Sequence, residues 1–262
     1  MSEEQNKKDP SSPAAPDAPF QNGPQAPLHP PKVHTMRMGH LPLTILVTFA
    51  ISGLFALAFE LGSAPPIAGG GLLVLLIVLA AITPRASDTP ATTGTRFTVA
   101  RVAITCLLGG LAVIPAGNPP APLLWSVALM GFTAAGLGAV DGWLARITYS
   151  TSGFSEKLGT MASALLVLSL SLLVWRLGLA GVWVVAAGAL GFAEAALLAG
   201  RETSHHEVWR LGAGLAVRVA LAAAIMPITP PFAVTALALL ATALAVGLMA
   251  HTLLLRRGET SS

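Results

Sequence analysis

The chain has 262 residues, of which 54% are hydrophobic and only 10% are charged, with a formal net charge of +3 at pH 7 and a mean hydropathy of +0.72. A water-soluble domain carries about 25% charged residues, so this composition excludes a soluble globular enzyme and predicts an all-α, polytopic membrane helix bundle. The single cysteine, Cys106, sits inside an apolar run; no disulfide framework can form, and its expected role is that of a small buried hydrophobe.

In chain order, residues 1–40 are polar and rich in Pro and Ala, and they predict a disordered cytoplasmic tail rather than a signal peptide. A membrane-spanning helix needs ~20 apolar residues. Eight stretches qualify: 42–62, 65–83, 97–117, 120–145, 158–175, 178–199, 208–228 and 231–255. The alternation expected of a β-barrel is missing. The first two stretches predict an N-terminal hairpin over 41–84 that turns at Ser63-Ala64-Pro65-Pro66, with Glu60 at its outer end. A linker from Pro84 to Thr95 separates it from a six-helix domain over 95–257.

The third span opens Thr95-Arg96-Phe97-Thr98-Val99-Ala100-Arg101. Thr98 and Arg101 are three apart and share one helical face. Arg101 there either snorkels to the headgroups or contacts an anion at the helix start. In the fourth span Gly131, Gly136, Gly138 and Gly142 predict a small-residue face for close helix packing. That span ends in Asp141-Gly142-x-x-Ala145-Arg146 near the cytoplasmic boundary, and the fifth carries Gly159 and Ser163 on one face. Glu194 and Arg218 fall at similar depth in the sixth and seventh spans. Charges inside a membrane are costly and are usually paired, so a Glu194–Arg218 pair is expected.

Pro227-Ile228-Thr229-Pro230-Pro231 predicts an outer turn, and His205-His206 reads as solvated loop rather than a metal site. Every Lys and Arg except Arg176 falls on or toward one side. With Trp125, Trp175 and Trp183 at the outer interface and Trp143 and Trp209 at the inner one, this predicts a multi-pass protein of the cell (inner) membrane with both termini cytoplasmic. No phosphate-binding loop, zinc-ligand spacing or nucleophile elbow occurs, and nothing points to nucleic acid.

The stretch from Asp141 resembles the signature of the CDP-alcohol phosphotransferases, integral membrane enzymes of phospholipid synthesis, whose motif is D-x2-D-G-x2-A-R-x8-G-x3-D-x3-D. The core is intact as Asp141, Gly142, Ala145 and Arg146, and Phe154 matches the phenylalanine often found before the motif glycine. Ser155 stands where that glycine belongs. Gly138, Gly159 and Ser163 occupy the first, third and fourth Asp positions. Upstream, Thr98-x-x-Arg101 is similar to the family's N-x2-T-x2-R start, with Thr95 in place of Asn. The resemblance covers roughly residues 95–257.

In the family, four carboxylates on two adjacent helices hold two Mg²⁺ or Mn²⁺ ions, the last Asp activates the attacking hydroxyl, and CMP leaves. Such hard cations require oxygen ligands, chiefly carboxylates. Here Asp141 is the one motif metal ligand left, and Ser163 cannot serve as a general base because its hydroxyl titrates far above neutral pH. The resemblance therefore implies a homodimeric, catalytically impaired member. It would bind a membrane lipid, or a CDP-linked lipid or alcohol, at the cytoplasmic face through Asp141, Gly142, Ala145, Arg146, Thr98 and Arg101, with Arg146 and Thr98 holding the pyrophosphate. Mg²⁺ or Mn²⁺ is expected only if activity survives. Two alternatives stay open. One is an active CMP-releasing transferase with substitute ligands such as Glu156 or a partner subunit. The other is an unrelated transporter or membrane scaffold, although a transporter calls for more polar groups at mid-membrane than this chain offers.

Overall fold

The computed structural model describes residues 40–82, 93–114, 119–148, 153–198 and 208–259. Side chains are described over 45–79, 97–114, 119–143, 158–198 and 209–254. The Pro/Ala-rich tail, most of the linker after the hairpin and the loop with His205-His206 lie outside these residues.

The described residues contain eight α-helices and no strand: α1 (His40–Ala58), α2 (Ala64–Ile82), α3 (Thr93–Leu111), α4 (Ala121–Thr148), α5 (Gly153–Arg176), α6 (Val185–Leu198), α7 (Val208–Ile225) and α8 (Pro231–Glu259). Segments of α4, α5 and α8 are long and apolar enough to cross a membrane: Ala121–Trp143, Leu158–Arg176 and Pro231–Leu254.

Local chemistry sets the helix ends. Proline is tolerated in a first helical turn, where its missing N–H would have no partner; Pro65, Pro122 and Pro231 stand there in α2, α4 and α8. At the end of α5, Gly178 adopts φ 70 and donates its N–H to Trp175 O at 2.9 Å, while Leu179 N–H reaches Val174 O at 3.0 Å. This is the paired closure in which a left-handed residue satisfies the last carbonyls. The end of α1 closes the same way, with Leu61 N–H on Ala56 O at 2.8 Å, but the left-handed position is filled by Glu60 at φ 53.

Two helices differ from the lengths expected of the apolar runs. α3 stops at Leu111 rather than continuing to 117, because Pro115, Pro119 and Pro120 follow. The sixth apolar run does not begin its helix at 178. Gly178 turns the chain, a 3₁₀ turn occupies Val182–Val184, and α6 proper has 14 residues.

α5 is the central helix: it packs against α2, α3, α4, α6 and α7. Inside its apolar window 61% of the residues are buried, against 33% for α4 and 28% for α8. One apolar core joins Leu108 and Leu111 of α3, Leu166, Leu170 and Leu173 of α5, and Leu221 and Ile225 of α7. A second joins Leu73 of α2 to Val102 and Cys106 of α3 and Leu158 of α5. Cys106 is fully buried.

The α1–α2 hairpin belongs to the same compact unit as the rest, and its second helix lies tight against α3. A Cβ at Gly69 would come within 2.9 Å of the Cys106 carbonyl oxygen, so only glycine permits this approach. Between α4 and α7, a Cβ at Gly131 would stand 3.1 Å from Ala222 Cβ and 3.2 Å from Leu170 Cδ2. The four glycines of α4 do not form one packing face. Gly131 and Gly138 are seven apart and both meet neighbours, whereas Gly136 and Gly142 have open space where a Cβ would be.

Candidate functional site: a polar cluster between α3, α4 and α5

The first turns of α3 place Thr98 and Arg101 on one face, and that face points inward. Thr98 is fully buried and Arg101 is 4% exposed, so the arginine does not snorkel outward. Two helices supply its surroundings. From α4, Asp141 accepts a hydrogen bond from Thr98 Oγ1 at 2.9 Å. From α5, Ser163 Oγ accepts a short hydrogen bond from Arg101 Nη2. The Ser163 hydroxyl in turn donates to Gly159 O one turn back at 2.9 Å. Thr105 Oγ1 closes the other side by donating to Arg101 O at 2.9 Å.

The two glycines that occupy Asp positions in the resembled motif point into this cluster. A Cβ at Gly138 would lie 2.7 Å from Arg101 Cζ, 2.9 Å from Nε and 3.0 Å from Nη1. A Cβ at Gly159 would lie 3.8 Å from Thr98 Cγ2 and 3.9 Å from Asp141 Oδ2. Positions 138, 141, 159 and 163 thus converge with Thr98 and Arg101, although 62 residues separate Arg101 from Ser163 in the chain. Gly142 sits one residue beyond Asp141 with open space at its Cβ position. Ala145 and Arg146 continue α4 toward its end, and their side chains lie outside the described residues.

A second buried guanidinium completes the electrostatics. Gly131 of α4 meets Ala222 of α7. The two helices run antiparallel, so Gly138, two turns further along α4, comes level with the stretch of α7 around Gly214 and Arg218. Arg218 is 9% exposed and directs Nε to Gly214 O at 2.8 Å.

This donor set does not fit a divalent metal. Asp141 is the only carboxylate among the four motif positions, and it already accepts from Thr98. Gly159 offers no ligand, the space beside Gly138 is filled by a guanidinium, and the Ser163 oxygen is bonded to a cation. Among the described residues no three His, Cys, Asp or Glu side chains gather into a metal-binding group. A hard cation needs several oxygen ligands and would be repelled by the arginine.

Neither Glu60 nor Glu194 joins Asp141. Glu60 sits in the α1–α2 turn, at the end of the bundle where Pro65 lies against Gly110, the far end of α3 from Thr98. Glu194 does not pair with Arg218; it accepts from Arg210 Nη2 at 2.7 Å and from Thr252 Oγ1 at 3.4 Å. The reason is depth. Arg210 is in the first turn of α7 and Glu194 in the last turns of α6, so they are level, whereas Arg218 lies about 12 Å deeper along the axis. Beside this pair, the rings of Trp209 and His251 meet edge to face at 4.8 Å. The side chain of Glu156 is outside the described residues. What sequence reasoning missed is that both Arg101 and Arg218 are buried inside the bundle. The available signal was that each is an arginine within an apolar run on the face of a small residue.

Compared with family models, with curated proteins and with solved structures, the chain matches none of them.

Proposed function

We propose that this chain is an eight-span membrane protein built on the CDP-alcohol phosphotransferase plan, with α3–α8 as its six-helix core and the α1–α2 hairpin added in front. Its cytoplasmic-face site binds a CDP-linked lipid or alcohol without transferring it. The observation that carries this reading is the meeting of Thr98, Arg101, Gly138, Asp141, Gly159 and Ser163 on three helices. These are the residues that the motif resemblance selects from two separate parts of the chain. Chance motif matches have no reason to converge in space.

The same geometry argues against turnover. Two-metal transfer needs both the entering and the leaving oxygens clamped by cations held on carboxylates; one carboxylate remains, and the residue at the base position has its hydroxyl proton committed to Gly159 O. Binding at such a site belongs to phospholipid metabolism as a sensor or carrier of its activated intermediates. The test is thermal unfolding of the full chain in detergent with CDP-diacylglycerol, and with diacylglycerol as control. A shift with the CDP-lipid alone, lost in Asp141→Asn and Arg146→Ala, is expected, together with no release of CMP in the presence of Mg²⁺ and any alcohol acceptor. Metal-dependent CMP release would make the protein an active transferase; the absence of any shift would leave a scaffold.

A further inference from the structure

We infer that the α1–α2 hairpin is the positioning element of the polar cluster: it grips α3 along one face and so fixes the rotation that keeps Thr98 and Arg101 turned toward Asp141 and Ser163. The inference concerns the geometry of the cluster and holds whatever the cluster binds.

The first argument is which residues share a face. Successive residues of a helix are turned by about 100°. Thr98, Arg101 and Thr105 form one stripe of α3, and it is this stripe that bonds Asp141 of α4 and Ser163 of α5. The stripe one residue over is Val99, Val102, Cys106 and Gly110. Val99, Val102 and Cys106 pack in one apolar cluster with Leu73 and Leu76 of α2, and Gly110 lies on Pro65 and Gly69. Turning α3 by one such step would carry Arg101 out of the cluster and bring Ala100 or Val102 in its place. Neither side chain can donate a hydrogen bond to Ser163.

The second argument is what resists that turn. Flexible side chains yield to a small rotation; two backbones in contact do not. A Cβ at Gly110 would strike the Pro65 carbonyl and lie 2.8 Å from Gly69 N. A Cβ at Gly69 would lie 2.9 Å from Cys106 O and 3.5 Å from Leu107 Cα. All of these are main-chain atoms, so α2 and α3 touch backbone to backbone, an approach that small residues permit. Gly110 alone is compatible with any rotation of α3; it becomes a constraint only against α2. Gly109 beside it fits between Leu72 of α2 and Ser169 of α5, so this end of α3 is held from two sides. On α2, the ring of Phe49 from α1 covers Gly70 and backs the helix from behind. The third argument is reach. Gly110 and Arg101 are nine residues apart, ~13 Å along the axis. The hairpin therefore acts on the cluster through α3 as a rigid helix.

Two disulfide links test this, each made in the full chain in detergent with Cys106→Ser as background. Thr98→Cys with Gly159→Cys reports the inward stripe of α3, because a Cβ at 159 lies 3.8 Å from Thr98 Cγ2 and the Cβ atoms of a disulfide stand about 3.5–4.5 Å apart. Gly131→Cys with Ala222→Cys joins α4 to α7 away from the hairpin, where the two Cβ atoms would stand 3.1 Å apart. Both links are expected to form under a mild oxidant. Adding Gly110→Ala should abolish the first link and leave the second. Adding Gly71→Ala, on the same hairpin but with open space at its Cβ, should leave both. A first link that persists in Gly110→Ala overturns the proposal, and so does a first link that never forms while the second does. If Gly110→Ala abolishes both, the decision passes to Gly69→Ala, whose clash is smaller. Loss of the first link alone there supports the proposal. Any other result there overturns it, because the hairpin then holds the bundle as a whole or holds nothing, and not the angle of α3.

Discussion

A methyl group added at position 138 would press on the Arg101 guanidinium at 2.7 Å, while one added at 159 would meet only ordinary contacts at 3.8 Å and beyond. The two glycines occupy equivalent positions in the motif but not in the packing. Gly138→Ala must displace the Arg101 guanidinium, the far end of a flexible side chain, and is therefore expected to cost more than Gly159→Ala, which should be close to neutral or slightly stabilising, because alanine favours the helix by up to ~1 kcal/mol. Thermal unfolding of the two variants checks the contrast, and equal losses would contradict the placement of Arg101. The sequence allowed Thr98 and Arg101 to be placed on one face and Asp141 to be identified as the one acid in the motif-like positions. It could not tell whether Arg101 turns inward or outward, since an arginine near a helix end satisfies the pattern either way. That choice depends on how α3 is rotated against α4 and α5, which no residue within α3 records.

Among the elements, the contacts of α6 with α7 and α8 separate two ways of pairing charge. Glu194 and Arg210 form a tight ion pair whose side chains are 14% and 9% exposed. Removing one partner of such a buried pair costs about 3–5 kcal/mol, because the other is left unpaired. The loss in Glu194→Ala together with Arg210→Met should therefore be smaller than the losses of the single variants added together. Glu194→Ala with Arg218→Met should be additive, since Arg218 lies deeper along α7 and bonds Gly214 O of its own helix. A double-mutant cycle on unfolding free energies measures both. Coupling to Arg218 instead of Arg210 would reverse the assignment. Here the sequence showed that buried charges must pair, but similar depth was judged from apolar run boundaries, and α6 starts seven residues later than its apolar run. The helix ends that were legible are those with a proline or glycine reason. The 3₁₀ turn before α6 has no such signal, because Val182-Trp183-Val184 is as apolar as the helix that follows.

At the scale of the whole molecule, apolar composition made the helical class legible, and the number of runs matched the number of helices among the described residues. The sequence did not reveal the order of burial. The similarly apolar runs of α5 and α8 end up respectively at the centre and at the margin of the bundle. Apolar side chains suit lipid and protein neighbours equally, so the distinction rests on small residues such as Gly188, where a Cβ would reach within 2.6 Å of Leu168 Cα. This asymmetry bears on how the protein meets membranes of different thickness. A helix surrounded by lipid tilts when the hydrocarbon layer thins or thickens, at fractions of a kcal/mol per ångström. α8 and α1 present Leu239, Leu240, Leu54 and Leu57 outward and can follow such changes. α5, clasped by five helices, cannot tilt without moving them all. Ser163 rides on α5, and so does the wall of the cluster that faces Arg101. Ligand affinity should therefore be the same in vesicles of short-chain and long-chain phosphatidylcholine, while the tilt of α8, read by a spin label near its end, changes between them. The outer helices then act as a compliant sleeve around a stiff axle, and the charge cluster sits on the axle.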